Sequence, residues 1–127
     1  MQEQHLFEYA VIRVMPRVER EEFLNVGIVL YCAKLKYLKA MVTMDEERLK
    51  VFCKSMDVHE VREYLHALER ICAGGKESGP IGRLPVAERF RWLTATRSTV
   101  VQTSKVHPGF CIDPDDMLAT LNHQLVG

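Results

Sequence analysis

An arginine in the middle of an otherwise apolar strand is the first place in this chain where chemistry could be done. Arg13 stands in the run Tyr9-Ala10-Val11-Ile12-Arg13-Val14, and the two-residue period of a strand puts it on the same face as Tyr9. Burying a guanidinium is costly unless it is paired and hydrogen-bonded. Two partners would meet that demand. One is a carboxylate, from Glu8, Glu22 or an acidic residue of the last helix. The other is a bound anion, because the planar fork of arginine matches carboxylate and phosphate in two-point contact. The next apolar segment, Phe23 to Cys32, carries Asn25 and Gly27 where a pure core strand would carry valine. Strict alternation sets both on one face. They mark either a bulge packed under a helix or the floor of a groove in which Asn25 offers a donor and an acceptor.

A second concentration of polar groups lies further along. Arg83, Arg89, Arg91, Arg97 and Lys105 share one segment with a single nearby acid, Glu88, leaving a local charge of +4 on a chain whose 17 basic and 17 acidic residues cancel. Phe90 and Trp92 interleave with the arginines. Such a pattern can hold phosphate or stack bases. It also suits a solvated helix face that pairs with acidic surface at Glu19 to Glu22 or Asp113 to Asp116, with Trp92 in the core or anchoring an interface.

Other reactive side chains offer less. His107 precedes Pro108 in an expected turn near Ser98 and Thr103, where a general base is conceivable, but no partner carboxylate or nucleophile is legible from spacing. His59 and His66 are two helical turns apart, about 10 Å along the axis, too far to share a metal. The loop Gly74-Gly75-Lys76-Glu77-Ser78-Gly79 lacks the spacing of a phosphate-binding loop. Cys32, Cys53, Cys72 and Cys111 form no CxxC pair and read as small hydrophobes of a reducing compartment rather than as disulfides or a zinc set. No metal and no cofactor is expected.

These residues must be positioned by a small α+β fold. Residues 7–15 read as a strand covered on both sides, because both of its alternating faces are largely apolar. In 23–32 the residues Leu24, Val26, Ile28, Leu30 and Cys32 read as one unbroken core face, and 37–43 reads as a third strand. The short links argue for an antiparallel meander. Thr43-Met44-Asp45-Glu46 and Asp57-Val58-His59-Glu60 fit helix caps. The second opens a helix with Val58, Val61, Leu65, Leu68 and Cys72 on one side. Gly74-Gly75 ends it, and 73–82 reads as a mobile loop. Leu84-Pro85 starts a third helix with Val86, Phe90 and Leu93 facing inward. Residues 99–106 make a fourth strand, His107-Pro108-Gly109 turns the chain, and Asp113 caps a last helix docked by Leu118, Leu121 and Leu125. The expected order is βββαααβα: an antiparallel sheet of about four strands, with helices packed on it and all 127 residues in one domain.

Composition narrows the function classes. A neutral chain with 47% hydrophobic and 27% charged residues has ordinary globular usage and no overall field to steer it to nucleic acid or membrane. No apolar run is long enough to span a bilayer, and the first residues lack the basic start and apolar run of a secretory signal. A cytoplasmic protein is expected.

The blocks Tyr9-x-x-x-Arg13 and Glu22-Phe23-x-Asn25-Val26-Gly27-Ile28-Val29-Leu30 together resemble the opening signature of a bacterial family catalogued as domain of unknown function 3037. Arg97-x-x-Val100-Val101-Gln102-x-Ser104 and Asp113-Pro114 to Leu121 resemble its C-terminal half. The resemblance implies small bacterial proteins encoded beside a HipA-like kinase-fold protein, hence a protein partner. It transfers no catalytic residues. The leading expectation is a non-enzymatic binding or adaptor module. An enzyme on phosphorylated or nucleotide substrates using Arg13, Arg97 and His107 is the first alternative. A nucleic-acid binder working through Arg83 to Lys105 is the second, and a homodimer stays open.

Overall fold

The computed structural model describes residues 3–75, 78–95 and 99–127. Three consecutive antiparallel strands, β1 (His5–Val14), β2 (Leu24–Cys32) and β3 (Tyr37–Val42), form the expected meander. A 3-10 turn at Val18–Arg20 lies in the first link. Four helices follow: α1 (Glu46–Phe52), α2 (Val58–Ala73), the single turn α3 (Gly79–Gly82) and α4 (Val86–Leu93). Two short strands, β4 (Val101–Thr103) and β5 (His107–Cys111), precede α5 (Pro114–Leu125). Among the described residues the sheet therefore has five strands, all antiparallel. Both β4 and β5 pair with β1, β4 with Ile12 to Val14 and β5 with His5 to Tyr9. They behave as one edge strand interrupted at Ser104 to Val106.

The caps explain where the helices begin. Asp57 Oδ1 accepts from the Glu60 N–H at 3.1 Å, and Asp113 Oδ1 accepts from the Asp115 N–H at 3.0 Å, each satisfying an otherwise orphaned donor. In α1 the cap is Asp45, which accepts from the Arg48 N–H at 3.1 Å. Thr43, expected there, instead continues the β3 ladder with its N–H on the Val26 carbonyl at 2.7 Å.

Helices cover the sheet on both faces, as the two apolar faces of β1 require. Ala10, Ile12 and Val14 join Val61, Leu65, Leu68 and Phe90 in one core beneath α2 and α4. Phe7 and Val11 join Ile28, Leu30, Leu118 and Leu121 in a second core beneath α5. The expected unbroken face of β2 is split between these cores. Its register against β1 shifts at Ile12/Arg13, so Val26 is an extra residue opposite β1. The resulting bulge puts Val26 with the α2 core and Ile28, Leu30 and Cys32 with the α5 core. Val26, Ile28 and Leu30 are buried all the same, at 2%, 0% and 0% exposure.

Two local expectations are corrected. The stretch 73–82 contains the helical turn α3, and His107-Pro108-Gly109 is strand rather than turn. Proline is admitted there because β5 lies at the sheet edge. Gly109 is required because Phe7 lies across it: a Cβ would sit 2.6 Å from the ring.

Candidate functional site

The sequence-predicted residues separate into two places. On the α5 face, Arg13 and Asn25 are directly paired across β1 and β2. Gly27 is not with them. The bulge pairs it with Ile12 on the other face, where a Cβ would meet the Met41 carbonyl oxygen at 2.5 Å. Gly27 therefore permits the close approach of β3 and is a packing residue.

Arg13 finds a different partner from the expected carboxylate. Its Cζ lies 4.0 Å from the centre of the Phe23 ring, a cation–π contact. No described carboxylate reaches it, and Glu22 is engaged by Arg20 Nε at 2.7 Å. The side chain is partly exposed, so water can solvate the rest of the guanidinium. Its Nε is buried without a protein acceptor. Asn25 donates from Nδ2 to the Leu125 carbonyl at 3.1 Å, tying β2 to the end of α5, while its Oδ1 is buried without a donor. An orphan donor and an orphan acceptor thus occupy one cross-strand pair. Tyr9 is four residues back along β1, about 13 Å away. Its ring lies 5.4 Å from that of His107. His107 is placed by β5 against Tyr9, not set into a turn beside Thr103, and Ser98 lies outside the described residues.

The second place is the opposite face, where α2, α4 and β4 enclose a largely apolar cleft of about 320 Å³. Leu68, Ile71, Leu93 and Val101 line it, and Trp92 and Tyr64 form its rim at 39% and 44% exposure. Arg91 is exposed on α4 beside Trp92. Arg97 lies outside the described residues. The arginine–aromatic alternation does not make a continuous surface strip, because two of its members turn inward. Phe90 is buried and stacks on Tyr31 with ring centres 5.1 Å apart. Arg89 donates from Nη1 to the Ile71 and Cys72 carbonyls at 2.8 and 2.9 Å and from Nε to Leu84 at 3.0 Å. It closes the C-terminus of α2, where cations are favoured. Helical period marked Phe90 as core, but the role of Arg89 depends on a contact 17 residues away that no local pattern shows.

Thiol chemistry is differentiated by burial. Burial pushes the Cys72 thiol up to about 12 and raises that of Cys111. Cys53, only partly buried, is lowered, first by its hydrogen bond with Ser55, 3.5 Å away, and by nearby Arg17. No three His, Cys, Asp or Glu residues among those described converge as a metal set. No described helix is long and apolar enough to cross a membrane.

The class defined by these observations is an α+β protein with an open antiparallel sheet covered on both faces. The chain belongs to the family of proteins of unknown function DUF3037, whose model matches residues 9–126. No curated protein and no solved structure matches it.

Proposed function

We propose that this chain is a non-enzymatic protein-binding module, an adaptor that docks its partner at the cleft between α2, α4 and β4. The observation that carries the reading is the apolar lining of that 320 Å³ cleft beneath Trp92 and Tyr64. A cleft of this size takes one or two apolar side chains, and tryptophan, tyrosine and arginine are the residues in which binding energy concentrates. Arg91, exposed on α4 next to Trp92 in sequence, would add charge selection for an acidic partner. The family resemblance supports a HipA-like kinase-fold protein as the partner.

Trp92 is the only tryptophan of the chain, so it is a built-in probe of its own surroundings. Titration with a HipA-like kinase-fold protein is expected to shift Trp92 emission to the blue and to saturate. Ala67→Arg, which fills the cleft from α2, should weaken binding about tenfold or more, a loss of about 1.4 kcal/mol, while leaving the thermal midpoint in place. Saturable binding with unmoved emission would place the interface elsewhere, and no binding would remove this partner.

One observation favours a second reading, an anion site at Arg13: the unpartnered Nε and the partly exposed guanidinium. Phosphate protection of Arg13 from a guanidinium-directed reagent would support it, and equal modification with and without phosphate would sink it.

A further inference from the structure

At the opposite end of β1 from the cleft, the sheet carries apolar surface that no described helix covers. Leu6, Phe110 and Ile112 are 53%, 64% and 49% exposed. Leu6 and Phe110 are directly paired, so the surface is continuous across β1 and β5. β5 pairs with β1 and with no other described strand, which leaves the main-chain groups on its outer side open to pairing. Beside that edge, a groove of about 480 Å³ runs between β5 and the first turns of α5. Its lining combines Phe110, Ile112 and Met117 with two carboxylates, Asp113 and Asp116, and includes no lysine or arginine. Asp113 spends one oxygen on the helix cap. Asp116 makes no ion pair with a described residue.

We propose that the outer edge of β5 takes an extended apolar segment bearing lysine or arginine from a partner protein, added as a further strand of the sheet. Main-chain hydrogen bonds supply affinity in such strand addition, and alternate side chains supply selection. Here one set of side chains would lie over Phe110 and Ile112, and a cation would reach Asp116. The charge of the groove and the strand's own sequence argue against a second copy of this chain as the occupant. Residues 107–111, His-Pro-Gly-Phe-Cys, carry no lysine or arginine themselves, and the nearest cation in sequence, Lys105, lies outside the strand. Pro108 has no N–H, so pairing β5 with itself would forfeit a donor on each copy. The proposal is independent of the cleft, since it uses none of the same residues.

The test uses the full chain and a short fluorescein-labelled peptide of alternating valine and lysine, with a valine–glutamate peptide as control. Saturable binding of the lysine peptide is expected, together with slowed hydrogen exchange at the Phe110 and Ile112 amides. Asp116→Lys and Phe110→Asp should each weaken binding about tenfold or more with unchanged thermal midpoints, because both side chains are exposed. Ala67→Arg, in the cleft, should leave this binding as it is and so separates the two surfaces. The proposal is overturned if the lysine peptide does not saturate, if the glutamate peptide binds equally well, or if binding leaves β5 exchange unaltered. A concentration-dependent dimer abolished by Phe110→Asp would also overturn it and make the second copy the occupant.

Discussion

The Ser104 hydroxyl accepts the backbone N–H of Val11 at 2.9 Å and donates to the Lys105 carbonyl at 2.9 Å. Val11 returns its own carbonyl to the Ser104 N–H at 2.8 Å. One buried hydroxyl thereby bridges the break between β4 and β5, where the central strand would otherwise have a donor with no acceptor.

Ser104→Ala should therefore cost about 1–3 kcal/mol, the penalty for a buried donor left unsatisfied. Urea unfolding of the two proteins measures it. An unchanged midpoint would mean that water reaches Val11.

Arg89 and Arg91 are two residues apart and should behave oppositely. Arg89→Met removes three hydrogen bonds to the carbonyls of Ile71, Cys72 and Leu84 and is expected to cost about 2 kcal/mol or more, since charged donors are worth more than neutral ones. Arg91→Glu, on the exposed side of α4, should stay within about 0.5 kcal/mol. Thermal denaturation of both variants decides the matter, and equal losses would contradict the assignment.

Arg13 and Phe23 should show a coupling of about 0.5–1 kcal/mol in a double-mutant cycle of Arg13→Met and Phe23→Leu, the range for a partly exposed cation over a ring. Additive losses would mean that the two side chains stack without exchanging energy.

The thiols give a pH prediction. Cys72 is raised from an ordinary 9.0 to about 12, so the folded chain keeps a proton that the unfolded chain releases. Its contribution to stability is whole below about pH 9 and is lost as pH rises towards about 12. Cys72→Ala should flatten that alkaline decline in urea midpoints. Native iodoacetamide labelling should favour Cys53, extending below the ordinary thiol range, and spare buried Cys32, Cys72 and Cys111. Labelling of Cys72 at the same rate would contradict its burial.

Much of the fold was legible because its signals are local. Alternation in β1, the caps at Asp57 and Asp113, and the helical stripe from Val61 to Cys72 each fit within a few residues. The bulge at Val26 was not legible. Gly27 signalled an irregularity, but only the partner strand shows which residue is extra, and that choice decides that Asn25 and Gly27 face opposite ways. β5 was hidden for a related reason. His-Pro-Gly has turn chemistry, yet an edge position excuses the proline and the ring of Phe7 demands the glycine. The candidate site was half legible: Arg13 and Asn25 could be suspected as polar groups in apolar strands, whereas the cleft under Trp92 exists only once α2, α4 and β4 are assembled.

The shared edge of β1 also bears on the order in which the molecule can be made. β1 is made before β4 and β5 and can pair at once with β2, but the residues that close its other edge lie about 90 positions later, as the Val11–Ser104 bond shows with a separation of 93. Until residues 101–111 arrive, an apolar strand waits with one side unpaired, and the loop that must close spans 93 positions. Closure of that edge is then a late, slow step of folding. A chain halted before Val101 would display the unpaired edge of β1 to its neighbours, a template for aggregation.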